Sequence, residues 1–407
     1  MRLLFILLIF SATAWAQDPV ALFRAHYPAR ILGPLTDQAF CWQDTTGATG
    51  AYRGDSPQRL ASVTKLFTTL LALEAFGADK TWTTTVYTLG TRVHIAGGMD
   101  PWFEEEKIFA LIGALKEQGI TRITELTFDG AFVFTDTAQT QHTPASFALV
   151  QAALARYFTA SGAFTATAKL RRDATRAFQK EEGITVSLPT GGIATAKITP
   201  ARNNPLLNVA GAKVRTHTSR PISTILKAMN IMSKNMVANL LWEQARRVKD
   251  PTTTFAALGI AAKDYKFYTG SGLPVLAPSR VDNTATCNAI LTMLKRLEGK
   301  ILALNLEIHD IVGVGTDFGS YRDRFLNDLN LKESIAAKTG TLKHSSAIAG
   351  WIESAQPTRF VLLNHTTATA EARAWQDRFL SRWQTSVARP RGYIRTSVYP
   401  VEAAFFN

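Results

Sequence analysis

The chain has 407 residues, of which 46% are hydrophobic and 19% charged, and its formal net charge is +13. This length and balance predict one large or two to three ordinary globular domains with ample material for a buried core. The positive charge alone is compatible with nucleic acid, but no arginine-rich run, zinc-knuckle spacing or aromatic-basic stripe supports such a partner. We therefore expect no nucleic-acid function.

The first 16 residues have the pattern of a secretory signal peptide. One basic residue precedes an apolar run, and Ala14-Trp15-Ala16 offers a cleavage site. The apolar run is shorter than the roughly 20 residues that span a bilayer, and no later segment is long and apolar enough to do so. We expect cleavage after Ala16, a periplasmic location and no stable membrane span.

The next elements are predicted to be a helix over 18–32 and a strand–turn–strand unit over 38–54. The stretch 61–77 then has apolar residues at helical spacing, interrupted by Ser62 and Lys65, which share one helix face. Two starting points for this helix remain open, one near Pro57 with Ser56 as its cap and the other nearer Ala61. Gly77 suits the end of the helix.

The composition changes between 79 and 215, where threonine and alanine become frequent. Segments 81–98, 120–134 and 183–199 have the patterns of β structure, and helices are predicted over 104–119 and 144–158. We interpret 79–215 as an inserted, β-rich domain.

From residue 216 the chain is again mainly helical, with a break at Ser233-Lys234-Asn235 between two predicted helices. Three strands are predicted between 334 and 366, followed by a closing helix over 370–384. Together with the early strand pair they predict a five-stranded antiparallel sheet of an α/β domain. The first and last helices would cover one face of the sheet and the intervening helices the other. Residues 17–78 and 216–407 would then form one discontinuous domain.

The chain contains two cysteines, Cys41 and Cys287. An exported protein can form a disulfide, but the first lies in a predicted strand and the second in a predicted helix. A single bridge and two free buried thiols therefore remain equally open.

Three short motifs carry the candidate chemistry, and each pattern occurs once: SxxK at Ser62–Lys65, SxN at Ser233–Asn235 and KTG at Lys338–Gly340. Each alone also fits a structural role, such as a helix cap, a lysine reaching solvent or a surface turn. Together, in this order and in these local settings, they indicate the serine site of class A β-lactamases and penicillin-binding proteins.

The residue types suit nucleophilic catalysis. Ser62 needs a base, and Lys65 can serve if burial and the charge of Lys338 lower its pKa. Ser233 is predicted to relay a proton to the leaving amine, and Asn235 to hold Lys65 or a substrate amide by hydrogen bonds.

The KTG segment is predicted to bind the substrate. Lys338 and Thr339 would hold a carboxylate through charge-assisted hydrogen bonds, and Gly340 would leave room for the substrate. The backbone N–H groups of Ser62 and Thr341 would form an oxyanion hole.

With these motifs in place, the chain resembles the D-alanyl-D-alanine carboxypeptidase/endopeptidase family (peptidase S13 type) of low-molecular-mass penicillin-binding proteins. Stretches 97–134, 269–280 and 311–325 are similar to its GGxDP, DGSGLSR and LPVAGxDGTLxxR patterns. The resemblance implies a serine β-lactamase/transpeptidase-like fold with an inserted domain. It also implies acylation of Ser62 by peptidoglycan stems ending in D-Ala-D-Ala, release of D-Ala and hydrolysis. Some members also cut D-alanyl–diaminopimelate cross-links. β-Lactams would be covalent inhibitors, and no metal or organic cofactor is implied.

The chain departs from the family pattern at several places. Thr269 replaces an acidic residue, five residues precede the Ser279-Arg280 pair, and Leu60 stands where proline is usual. The stretch between the first two motifs is short for the family, which predicts that one inserted subdomain is reduced or missing.

Two other functions compete with a DD-peptidase. A β-lactamase or esterase on the same fold is disfavoured because no Glu-x-x-Leu-Asn string or Tyr-x-Asn motif is present. A non-catalytic envelope-binding protein is disfavoured by the three intact motifs, although the altered 269–280 segment keeps it open.

Overall fold

The computed structural model describes residues 18–134, 147–160, 191–276, 278–317, 319–321, 323–353, 357–384 and 392–393. The predicted signal peptide lies outside the described residues, as does the first part of the β segment predicted over 183–199. In the described part of the chain, no helix is long and apolar enough to cross a membrane.

The elements of the described residues are numbered in chain order. The strands are β1 (Gln38–Asp44), β2 (Thr49–Tyr52), β3 (Gln58–Arg59), β4 (Thr83–Leu89), β5 (Arg92–Ala96), β6 (Arg122–Ile123), β7 (Glu125–Phe128), β8 (Ala194–Thr195), β9 (Ile198–Pro200), β10 (Lys213–Thr218), β11 (Tyr265–Lys266), β12 (Thr284–Ala285), β13 (Ile335–Leu342), β14 (Ser345–Ile352) and β15 (Thr358–Asn364). The α-helices are α1 (Pro19–His26), α2 (Ala29–Leu32), α3 (Thr64–Phe76), α4 (Glu105–Glu117), α5 (Phe147–Tyr157), α6 (Ile222–Met232), α7 (Asn235–Val248), α8 (Pro251–Ala257), α9 (Cys287–Ala303), α10 (Ile308–Ile311), α11 (Leu329–Ser334) and α12 (Thr369–Gln384).

The central sheet has five antiparallel strands in the order β13-β14-β15-β1-β2, which confirms the predicted sheet. Successive side chains of a strand point to opposite faces, so each strand contributes to two cores. In β1, Ala39 and Cys41 join one buried cluster and Phe40 joins another.

Helices cover both faces of this sheet in the predicted arrangement. Buried residues of α3, α6, α7 and α9 pack on the face of Ala39. Helices α1 and α12 cover the other face, where the Phe23 ring lies 5.1 Å from that of Phe40 and 5.8 Å from that of Phe379. Full burial of each such aromatic side chain contributes about 1.5–3 kcal/mol to stability.

A disulfide joins Cys41 of β1 to Cys287 of α9. The sulfurs lie among buried residues between the sheet and the helices. The bridge thus resolves the choice that the sequence left open, and it ties the centre of the sheet to its helical cover.

A second sheet is built from the stretch between the first two motifs, in the order β10-β4-β5-β7-β9. It combines antiparallel and parallel pairs and shares a buried cluster with α4 and α5. Strand β10 continues to Thr218, so the predicted boundary at 215 falls within a strand. The division into domains remains a prediction.

A small sheet of β11, β12 and β3 sets the start of the SxxK helix. Gln58 and Arg59 pair with β12, which keeps the backbone extended, so the helix does not begin near Pro57. It begins instead with a 3-10 turn at Ala61–Val63, which agrees with the predicted start nearer Ala61. Gly77 ends α3 with a φ of 74°, a conformation that favours glycine.

Candidate active site

The Ser62 hydroxyl lies beside the Lys65 amine at the start of α3. Lys65 is fully buried, and its Nζ lies 3.0 Å from Ser62 Oγ. The same nitrogen donates to Asn235 Oδ1 at 2.8 Å and to the Ser271 carbonyl at 2.9 Å. Both of these partners are acceptors only, so a neutral amine that donates to them directs its lone pair toward the Ser62 hydroxyl.

The electrostatic surroundings favour such a neutral amine. Burial lowers the pKa of Lys65 well below its usual value, and the charge of Lys338 lowers it further. Lys338 is also fully buried, and this burial lowers its own pKa to about 7. A base whose pKa approaches the working pH is the most effective at proton transfer.

The SxN motif occupies a tight turn between two helices. Ser233 ends α6 with a φ of 55°, and its N–H donates to the Met229 carbonyl. The N–H of Lys234 bonds to the same carbonyl at 3.2 Å, and α7 begins at Asn235. The turn brings Asn235 to Lys65. Ser233 is half-buried, and no direct hydrogen bond joins its hydroxyl to Lys65 among the described residues.

The KTG motif lies on β13, the edge strand of the central sheet. Lys338 Nζ donates to the Thr339 carbonyl at 2.9 Å, and Thr341 is exposed. A Cβ added at Gly340 would lie 2.7 Å from the Leu60 carbonyl oxygen and 3.0 Å from Ser62 N. The structure therefore gives a further reason for glycine here, since β13 packs directly on the turn that carries Ser62.

The outer edge of β13 is divided into two parts. Near its beginning, the Ala337 N–H bonds to the Gly313 carbonyl and Ala336 bridges to Val314. Beyond Ala337, no described strand pairs with this edge. Among the described residues, the backbone groups of 338–342 on that side thus have no strand partner.

The loop Thr269–Gly272 is part of the site, a role that reasoning from side-chain patterns missed. Its Ser271 carbonyl holds Lys65, and Asn239 of α7 accepts a hydrogen bond from the Ser271 N–H at 2.9 Å. A Cβ at Gly272 would lie 1.8 Å from the Ala61 carbonyl oxygen, so the loop fits closely against the Ser62 turn. The resemblance to a DGSG segment marked the loop but not this backbone contact.

Thr269 stabilises this loop in place of the acidic residue usual in the family. Its hydroxyl accepts from the Gly272 N–H at 3.2 Å and donates to the Leu273 carbonyl at 2.8 Å. Asn283 also binds both backbone groups of Thr269. The departure therefore leaves an ordered loop with satisfied hydrogen bonds.

The structure brings elements from all three motifs together. Ser62, Lys65 and Asn235 are directly connected, and Gly340 packs on the Ser62 turn. Within the described ranges, no group of three or more His, Cys, Asp or Glu side chains could hold a metal ion.

The sequence also matches the model of the D-Ala-D-Ala carboxypeptidase 3 (S13) family over residues 42–147 and 148–386. The chain belongs to this family. This membership confirms the resemblance found in the motifs, and the chain is a serine-type DD-peptidase. A sequence search among curated proteins finds no match.

Solved structures with the same fold have low sequence identity to this chain. The Bd0816 predatory endopeptidase of Bdellovibrio bacteriovorus, in complex with immunity protein Bd3460, has 22% identity and a TM-score of 0.77, covering 91% of this chain and 99% of its own. The penicillin G acylated Bd3459 predatory endopeptidase of the same organism has 22% identity and a TM-score of 0.72, with 89% and 96% covered. Penicillin binding protein 4 of Haemophilus influenzae has 17% identity and a TM-score of 0.58, with 90% and 98% covered. These likenesses confirm the transpeptidase-like fold.

Proposed function

We propose that this protein hydrolyses the terminal D-Ala-D-Ala bond of peptidoglycan stem peptides through an acyl-enzyme on Ser62. The observation that carries this proposal is the buried Lys65 Nζ at 3.0 Å from Ser62 Oγ, with its other two contacts made to acceptors. This arrangement supports Lys65 as the base that activates the hydroxyl.

In the acylation step, Lys65 takes the Ser62 proton as Oγ attacks the carbonyl carbon of the scissile bond. The N–H groups of Ser62 and Thr341 stabilise the oxyanion, a contribution that is typically worth about 10²–10³ in rate per donor. The C–N bond then breaks, and Ser233 passes a proton from Lys65 to the leaving D-Ala amine. Water subsequently attacks the ester with Lys65 as base and releases the shortened stem.

Substrate binding falls to the KTG strand. Lys338 and Thr339 bind the terminal carboxylate of the stem, and Asn235 holds both Lys65 and a substrate amide. The open edge of β13 supports this proposal because an extended stem can pair with its backbone.

Cleavage of D-alanyl–diaminopimelate cross-links is a second activity that we propose for the same site. The structurally similar Bdellovibrio protein Bd3459 is a predatory peptidoglycan endopeptidase, and this similarity favours the second activity. The penicillin G acylated form of that protein supports β-lactams as covalent inhibitors here as well. We further propose that the protein acts in the periplasm, where its peptidoglycan substrate is found.

Two measurements test the proposal. Fluorescent penicillin should label the wild-type protein covalently and leave Ser62→Ala unlabelled, since only the hydroxyl can form the ester. Digested peptidoglycan should lose terminal D-Ala, and cleaved cross-links would reveal endopeptidase action. Labelling that survives in Ser62→Ala would overturn the assignment, whereas rapid penicillin turnover without muropeptide products would favour a β-lactamase. A folded protein with no labelling and no products would favour the envelope-binding alternative.

A further inference from the structure

The middle residue of the SxN motif, Lys234, is bound by a carboxylate from a distant part of the chain. Lys234 Nζ lies 2.6 Å from Glu104 Oε2 and 5.4 Å from the centre of the Trp102 ring. The Glu104 side chain is only 8% exposed and that of Lys234 is 28% exposed. A pair shielded to this extent depends on both partners, because removing one leaves the other charge poorly solvated.

The segment that carries Glu104 has anchors on α7 besides its contacts with Lys234. Trp102 is buried in the same cluster as residues of α7, and Gln244 of α7 donates to the Met99 carbonyl at 2.7 Å. The Glu104 N–H bonds to the Trp102 carbonyl at 3.0 Å, directly before α4. Glu104 therefore presents its carboxylate from a segment anchored on the helix that begins at Asn235.

Lys234 lies between the two predicted functional residues of its motif. Ser233 has a left-handed backbone conformation, which a residue other than glycine keeps only where its surroundings hold it. Asn235 follows directly and binds Lys65. A restraint on the Lys234 side chain thus acts at the centre of the turn that places both neighbours.

We propose that Glu104 is a positioning residue that holds the Ser233–Asn235 turn through its ion pair with Lys234. This inference rests on the proposed function of the Ser62 site. In the described part of the chain Glu104 makes no hydrogen bond to Ser62 or Lys65, so its effect passes through Lys234. The stretch predicted as an insertion would in this way contribute to the geometry of the active site.

The ion pair should respond to pH near neutrality. Burial raises the pKa of Glu104 to about 7, with Lys234 opposing this shift and Glu106 and Glu105 adding to it. Burial lowers the pKa of Lys234, but the carboxylates of Glu104, Glu106 and Glu105 outweigh burial and raise it above its usual value. Lys234 therefore stays charged, while Glu104 takes up a proton and weakens the pair as the pH falls through about 7.

The test compares acylation rate constants with fluorescent penicillin for wild type, Glu104→Gln and Glu104→Asp between about pH 5.5 and pH 8.5. Glu104→Gln should be roughly tenfold slower than wild type at the upper pH, and the ratio should approach one at the lower pH. Titration of Lys65 and Lys338 occurs in both proteins and largely cancels in this ratio. Glu104→Asp keeps the charge and should recover part of the rate.

A matched control is Glu125→Gln, which removes an ion-paired glutamate from β7 that contacts Lys197 and Arg92 instead. It should acylate at the wild-type rate throughout. Equal rates for Glu104→Gln and wild type at every pH would overturn the inference. A slowing of constant size across the pH range would also overturn it, since it would reflect altered packing rather than the ion pair.

The double variant Glu104→Gln/Lys234→Met keeps the inference testable if the single variant folds poorly, because it leaves no unpaired charge. It should acylate at the same rate as Lys234→Met alone, since Glu104 acts only through Lys234. A double variant that is acylated much more slowly than Lys234→Met would overturn the inference. If wild type itself is not labelled, the proposed function fails, and this inference fails with it.

Discussion

Asn235 Oδ1 lies 2.8 Å from Lys65 Nζ and joins the first turn of α7 to the first turn of α3. This hydrogen bond and the one from Lys65 to the Ser271 carbonyl use the two hydrogens of a neutral amine. The lone pair of that amine then faces Ser62 Oγ, which lies 3.0 Å from Lys65 Nζ. The Lys65 amine is thus oriented by acceptors from two segments that lie far apart in sequence, which makes its geometry a property of the folded domain.

Replacing the base with an apolar side chain of similar length should separate catalysis from folding. Lys65→Met should lower the penicillin acylation rate by about 10²–10⁴, because Ser62 loses its general base. Two acceptors lose their donor, which lowers the free energy of unfolding by about 1–3 kcal/mol. At neutral pH this loss is opposed, because the variant no longer buries an amine whose pKa is lowered by burial. Labelling kinetics and thermal unfolding measure the two effects. Lys197→Met, at a lysine with a 63% exposed side chain, is the control and should change neither. Wild-type labelling in Lys65→Met would exclude Lys65 as the base.

Much of this fold could be predicted because its signals are local. The alternation seen at Ala39 and Phe40 places strand residues on two faces, and the motif residues suit their helix, turn and strand settings. The Ser271 carbonyl could not be predicted in the same way, since every residue carries one and only the fold decides which carbonyl meets Lys65. The helix start near Ala61 was similarly ambiguous, because it depends on pairing between β3 and the distant β12.

Burial of Lys338 should make the stability of the protein depend on pH. Its pKa is lowered from 10.5 to about 7 in the folded protein, so between these values the unfolded chain binds a proton that the folded chain does not. The free energy of unfolding should therefore rise with pH across this window, by on the order of a few kcal/mol for this residue. Denaturant unfolding of wild type and Lys338→Met at several pH values measures the difference. The variant should show a smaller rise, to which the buried Lys65 still contributes. Identical slopes in the two proteins would show that Lys338 is not held in this buried state.

The hydroxyl of Thr269, rather than the shape of its side chain, should stabilise the loop Thr269–Gly272. Thr269→Val removes the bonds to the Gly272 N–H and the Leu273 carbonyl, which should lower the free energy of unfolding by about 1–3 kcal/mol. Acylation should slow as well, because the loop carries the carbonyl that orients Lys65. Thr269→Ser keeps the hydroxyl and is the matched control, expected to retain most of the stability and rate. If valine and serine behave alike, the hydroxyl does not hold the loop.

The Cys41–Cys287 bridge should stabilise the fold without taking part in the chemistry. The two cysteines are 246 residues apart in sequence. Removal of a disulfide typically lowers the free energy of unfolding by about 2–5 kcal/mol, because the unfolded chain gains conformational freedom. The double variant Cys41→Ala/Cys287→Ala should unfold at a lower temperature, while its folded fraction is acylated at the wild-type rate. A reducing agent should destabilise wild type and leave the double variant unchanged, which separates loss of the bridge from the effect of the smaller side chains. A double variant as stable as wild type would show that the bridge adds no stability. A folded variant that is acylated much more slowly would show instead that the bridge contributes to the geometry of the site.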